Sequence, residues 1–204
     1  MRIPDSPPVI KPVPPGVERP LWSVMIPVYN CAYYLPELLN SLLSQAMSED
    51  QMQIEVVDDC STDADIKRLV DQVGKGRVTY FRQPENVGSL RNFETCLNRS
   101  RGQYVHLLHG DDKLLPGFYE EMTAVFEQFP EIGAAFCKHQ HIDSNGKLRY
   151  NVVSENKGPY ILQNWLETLA EKQRPQYVAM VVKRSVYEHL GSFYGVVYGE
   201  DWEM

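Results

Sequence analysis

No stretch of this chain approaches the ~18 consecutive apolar residues that a membrane-spanning helix needs. The N-terminus carries no basic region followed by an apolar run, so no signal peptide is read there. Cysteine is scarce. Cys31, Cys60, Cys96 and Cys137 are irregularly spaced, in neither a zinc-ligand nor a redox pattern, which points to reduced thiols and a cytoplasmic setting. Positive charge is in deficit as well. Twenty Lys and Arg against 27 Asp and Glu leave a net charge of −7, which argues against a protein that coats nucleic-acid phosphates. An acidic protein can still hold an anionic ligand when a metal ion supplies the positive charge. Two glycine-rich loops are also missing. There is no Gly-x-x-x-x-Gly-Lys-Ser/Thr, and no Gly-x-Gly-x-x-Gly follows the first strand pattern, so P-loop and dinucleotide-cofactor readings fall away.

What is present is one globular domain's worth of chain. The 204 residues are 43% hydrophobic, enough for one sizeable core. Residues 1–20 hold Pro4, Pro7, Pro8, Pro12, Pro14, Pro15 and Pro20. Proline removes backbone donors and fixes φ, so this segment is expected to be a tail or linker. From Leu21 the pattern changes. Leu21 to Tyr29 is a nearly continuous apolar run of strand length, and Leu35, Leu38, Leu39, Leu42 and Leu43 follow at helical spacing. Ile54 to Val57 reads as a second strand. A helix through Ile66, Leu69, Val70 and Val73 comes next, with Asp63 as its expected N-cap. Arg77 to Arg82 is a third strand, and Ser89 is placed to cap a helix carrying Leu90, Phe93 and Leu97. Tyr104 to Leu108 is the fourth strand, before a helix over residues 117–129. Further on, Gly133 to Phe136 and Tyr177 to Val182 read as strands, Tyr160 to Ala170 and Ser185 to Leu190 as helices, and Asp143 to Pro159 as a loop or hairpin. Four alternations of strand and helix before residue 130 predict an α/β domain, with a mainly parallel sheet and helices on both faces.

The acids fall at strand ends. Asp58-Asp59 closes the second strand and Asp111-Asp112 follows the fourth, with Glu200-Asp201 after the last strand-helix unit. Right-handed crossovers bring successive parallel strand ends to one edge, where open α/β sheets bind ligands. Clustered carboxylates there suit a hard divalent cation, and Mg2+ or Mn2+ keeps part of its coordination shell for a diphosphate. As a solvated turn, either Asp-Asp pair alone would be unremarkable.

Five segments together resemble glycosyltransferase family 2. They are Ser-Val-Met-Ile-Pro-Val-Tyr-Asn (23–30), Val-Val-Asp-Asp-Cys-Ser-Thr-Asp (56–63), Asn-Val-Gly-Ser-Leu-Arg-Asn (86–92), His-Gly-Asp-Asp (109–112) and Gly-Glu-Asp-Trp-Glu (199–203). The resemblance covers residues 21–204 in order. It implies a GT-A fold, a nucleotide-sugar donor with UDP favoured, Mn2+ or Mg2+ as cofactor, and inversion at the anomeric carbon. Carried over by motif position, Pro27, Tyr29 and Asp59 would line the base pocket, Arg91 would face the nucleotide, and Asp112 would ligate the metal. Asp111 would serve the ribose or the metal. Asp201 matches the family's catalytic base, with Glu200 beside it as the alternative. Each has a structural reading too: a local turn cap for Asp59, a solvated helix position for Arg91, and a helix-capping pair for Glu200 and Asp201.

His109 stands where many members carry another Asp, which leaves metal choice open. A metal-ligand role is open to it, but a satisfied strand-end histidine is the preferred reading. His139 and His141 could share a strand face, but a zinc site there would need two more ligands that the sequence does not identify. The chain ends at Met204, inside the motif that carries the expected base, so it reads as a truncated catalytic domain. A non-catalytic nucleotide-sugar binding module or inactive fragment is therefore the alternative. A sugar nucleotidyltransferase would need a glycine-rich Arg-containing loop where Pro27-Val28-Tyr29-Asn30 stands, and a receiver domain would leave Asp201 unexplained. The expected acceptor is a carbohydrate, lipid-linked or protein hydroxyl. A lipid-linked acceptor would bring the protein to the inner face of a membrane as a peripheral component.

Overall fold

A computed structural model describes residues 6–152, 158–171 and 175–193. Among these residues, strands β1 (Trp22–Val28), β2 (Met52–Asp58), β3 (Thr79–Arg82), β4 (Tyr104–Leu107), β5 (Ala134–Phe136) and β8 (Met180–Lys183) form a six-stranded sheet of order β3-β2-β1-β4-β8-β5. The first four run parallel, whereas β8 is antiparallel to both β4 and β5. A two-stranded antiparallel hairpin, β6 (Gln140–Ile142) and β7 (Leu148–Asn151), stands apart from it. The α/β, mainly parallel architecture read from the alternation is the one observed.

The sheet is covered on both faces, which is why β1 is buried along its whole length. Trp22, Val24, Ile26 and Val28 point to one face. There they meet the apolar stripes of α1 (Leu35–Leu43), α2 (Ile66–Gly74) and α4 (Phe118–Gln128). Met25 points the other way, into a second cluster with Phe93, Cys96 and Leu97 of α3 (Ser89–Arg99), together with Val105, Val182 and Tyr187 of α6 (Arg184–Leu190). Among the described residues the remaining α-helix is the short α5 (Trp165–Glu171).

Three local expectations are corrected. Asp63 is not the cap of α2: Asp65 is, accepting from Arg68 N at 3.0 Å, while Asp63 accepts the Ala32 N–H at 2.9 Å. Ser89 is the first residue of α3, whose N-cap is Gly88 at φ +85°. The run from Tyr177 opens as a 3-10 turn over Tyr177–Ala179 before β8 begins. The proline-rich segment is also more than a free spacer over residues 6–20. Ile10 is buried in the second cluster, Lys11 N donates to Asn98 Oδ1 at 3.2 Å, and Ser192 N donates to Pro8 O at 2.7 Å. All four cysteines are free thiols, and no described helix is long and apolar enough to cross a membrane.

Candidate active site

The C-terminal end of β1 organises the site. Val28 O accepts from Asp59 N at 2.8 Å on one side, and Pro27 O accepts from Gly110 N at 3.2 Å on the other. Both acidic turns are thus hydrogen-bonded to the same strand end, so the expected shared edge is present. Glycine at position 110 permits this close approach, since an added Cβ would lie 2.5 Å from Cys31 Sγ and 3.3 Å from Pro27 O. Burial pushes the Cys31 thiol up to about 11, so it stays protonated and acts as a packing group.

On the β2 side the two adjacent acids do different work. Asp58 is fully buried and accepts from Ser61 N at 2.9 Å, Tyr80 Oη at 2.7 Å and Arg82 Nη1 at 2.5 Å. Burial opposes its ionisation, but these donors outweigh it and hold the carboxyl below the usual range. The same arrangement, burial first and then the bond to Asp58, raises Tyr80 to about 12. Asp59 is also buried. It accepts from Asn86 Nδ2 at 3.0 Å, Val87 N at 2.8 Å and Gly88 N at 2.9 Å, and so fastens the Asn86–Gly88 turn ahead of α3. It therefore caps a distant turn and not its own. Three of its roughly four lone-pair positions are occupied. Asn30, at φ +50°, links the strand-end loops by accepting Thr62 N at 2.8 Å and donating its own N–H to Ser61 Oγ at 3.0 Å.

On the β4 side, one turn gathers the acids expected to bind metal. Asp112 N donates to His109 O at 3.1 Å, and ligand atoms of His109, Asp111 and Asp112 all lie within 4.8 Å of one another. Asp111 is exposed and Asp112 half-buried. Burial, with the neighbouring Asp111 charge second, pushes the Asp112 carboxyl up to about 6. The His109 ring stacks on Phe93 with centroids 5.0 Å apart and lies 5.0 Å from Tyr177. A cavity of about 200 Å³ opens beside this turn, with His109 and Asp112 joined in its wall by His139, His141, Gln140 and Gln176. His139 and His141 do approach each other, ring centroids 5.1 Å apart, but among the described residues they belong to no three-ligand cluster.

The other expected site residues are dispersed. Pro27 is buried in β1 and Tyr29 is exposed just beyond it. Arg91 lies on α3, bonded to Glu94 at 2.6 Å, and lines a separate groove of about 400 Å³ near Val87 and Asn98. Glu200 and Asp201 lie outside the described residues. Gln176 and Tyr177 were not found by sequence reasoning. Tyr177 opens a segment that reads as an ordinary buried strand, Gln176 directly precedes it, and no local signal marks either.

A family model described as Glycosyl transferase family 2 matches residues 23–191. The chain belongs to glycosyltransferase family 2. Relatives of this transferase-family chain include an uncharacterized Mycobacterium tuberculosis protein, 31% identical over 88% of this chain and 59% of its own length. Chondroitin synthase of Escherichia coli is 30% identical over 65% of the chain and 19% of its own length. The chain thus spans about three fifths or less of these relatives. Among solved structures, Staphylococcus aureus TarS 1–349 in complex with UDP-GlcNAc superposes with a TM-score of 0.71. It is 21% identical, over 89% of this chain and 51% of that one. A Pyrobaculum calidifontis mannosyltransferase in complex with GDP-Man and Mn2+ gives 0.62 at 21% identity, over 93% and 50%. These likenesses establish the GT-A fold.

Proposed function

We propose that this family 2 domain moves a sugar from a nucleoside-diphosphate sugar to an acceptor hydroxyl, with inversion at the anomeric carbon. The observation that carries this reading is the convergence of His109, Asp111 and Asp112 at the carboxyl edge of the sheet, beside a polar cavity. The nucleotide-sugar complexes of the two structural neighbours support it.

In this reading Asp112 and Asp111 would hold Mn2+ or Mg2+, which as a Lewis acid stabilises the negative charge left on the departing diphosphate. The chain's own groups do the rest. Pro27 and Tyr29 line the nucleobase, and Arg91 turns from Glu94 toward the nucleotide. UDP is favoured as carrier because Asp59 retains one acceptor position for a uracil N–H. The imidazoles and amides of His139, His141, Gln140 and Gln176 suit the hydroxyls of a sugar better than an acidic ligand, since no Lys or Arg among the described residues lines that cavity. Asp201, or Glu200 beside it, takes the proton of the attacking hydroxyl as its bond to carbon forms. The acceptor is a carbohydrate, lipid-linked or protein hydroxyl. Chondroitin synthase among the relatives favours a role in polysaccharide synthesis, with docking at the inner membrane face when the acceptor is lipid-linked.

The test is thermal stability against a panel of nucleoside diphosphates, with Mn2+ or with chelator. One nucleotide, UDP first, should stabilise the chain only when metal is present, and Asp112→Ala should abolish that shift. Equal shifts with and without metal would defeat the metal assignment. Transfer or donor hydrolysis separates an enzyme from a binding module.

A further inference from the structure

We propose that His109 is itself a ligand of the cation, and that its nitrogen turns the site toward Mn2+, Co2+ or Zn2+ and away from Mg2+. This rests on the metal-dependent reading above and adds the identity of the third ligand.

The geometry is within reach of one ion. Ligand atoms of His109, Asp111 and Asp112 lie within 4.8 Å of one another. Two metal–ligand bonds of roughly 2.1–2.4 Å placed across a cation span about 4.2–4.8 Å, so little closure is needed. The ring is already held in place. It stacks on Phe93 at 28° between planes and faces Tyr177 at 31°, each with centroids 5.0 Å apart. The hydrogen bond that Asp112 N donates to His109 O at 3.1 Å ties the same residue to the acidic turn. A nitrogen fixed before the ion arrives loses little freedom on binding it. The adjoining cavity of about 200 Å³ leaves room for the oxygens of a ligand on the open side. The chemistry then sets the preference. Mg2+ takes oxygen ligands almost exclusively, whereas the first-row transition ions accept imidazole, Mn2+ least among them and Co2+ and Zn2+ more strongly.

The competing role for His109 is that of a flat ring filling the space between Phe93 and Tyr177. His109→Phe keeps that ring and removes the nitrogen, so it separates the two roles. The experiment uses the full chain loaded with Mn2+, alone and with UDP, and reads pulsed electron-spin-echo modulation together with calorimetric affinities for Mn2+ and Mg2+. The wild type should show 14N modulation from a directly bound imidazole. The modulation should vanish in His109→Phe, while a His139→Gln/His141→Gln double variant retains it. The preference for Mn2+ over Mg2+ should fall about tenfold in His109→Phe, and further in His109→Asp, which restores an oxygen ligand. Bound Mn2+ without nitrogen modulation, or modulation that survives in His109→Phe, would overturn the proposal and leave the carboxylate metal site standing. A wild type that binds no Mn2+, with or without UDP, would overturn the metal reading and this inference together.

Discussion

A methyl group on Gly110 would meet Cys31 Sγ at 2.5 Å and Val28 Cγ2 at 3.0 Å, so a side chain there forces these groups or the turn that carries Asp111 and Asp112 to shift. Gly110→Ala should displace that turn from β1, with a stability loss of about 1–3 kcal/mol in urea denaturation. Calorimetry should show a larger proportional loss of Mn2+ binding than of stability. A second residue gives a pH signature. His106 is fully buried, with Nδ1 3.1 Å from Tyr119 Oη and Nε2 3.0 Å from Val178 O. Burial, which outweighs its hydrogen bond to Val178, lowers it from 6.5 to about 4. The folded state therefore keeps it neutral where the unfolded chain protonates. Its contribution is complete above pH 6.5 and is lost as pH falls toward 4, by about 2–3 kcal/mol at pH 4.5. Asp58, whose pKa is lowered, also loses stability in acid, so the informative quantity is the difference between proteins. Between pH 7 and 4.5 the wild type should lose more stability than His106→Gln, and equal losses would contradict the assignment.

At the scale of elements, the Asn86–Gly88 turn depends on a strand end 27 residues earlier in the chain. Asp59 accepts two of that turn's backbone N–H groups and the Asn86 amide. Asp59→Asn removes the charge and turns part of the acceptor into a donor. It should cost about 2–3 kcal/mol and raise hydrogen exchange at Val87 and Gly88 in particular. Arg184 joins further elements. Its buried guanidinium donates to Ser100 O at 2.8 Å and Lys11 O at 3.0 Å, and it pairs with Glu188. Nothing in the sequence marks Arg184, which stands just before the Ser185 to Leu190 helix pattern, because its acceptors are backbone carbonyls 84 and 173 positions away. The same limit applies to Asp59. Its strand-end position was readable, but the identity of its donors was not, so its reading as a local turn cap had the right chemistry and the wrong turn.

Across the whole molecule, the N-terminal segment completes the second face of the sheet. Ile10 is 1% exposed among Met25, Phe93, Leu97, Tyr187 and Phe193. Ile10→Ala should lower stability by about 2–4 kcal/mol through the cavity it leaves. A segment acting only as a spacer would give a change within experimental error. Proline content reports the stiffness of this stretch, not whether its one well-placed isoleucine finds a pit. That pit is made by α3 and α6, which lie far away in sequence.

Sequence alone determined the alternating strands and helices, the wholly buried β1 and the placing of acids at strand ends. Each of these follows from short-range periodicity and turn chemistry. It also carried five ordered motifs, enough for the family. Tertiary structure decided which donors each of the two buried neighbours Asp58 and Asp59 meets, and that β8 enters the sheet antiparallel. It also placed His109 against Phe93 and Tyr177, next to a cavity whose wall includes Gln176. The physical reason is the same throughout. Hydrogen-bond donors, ring stacking and burial are supplied by residues brought near only when the sheet closes, and no local pattern encodes them.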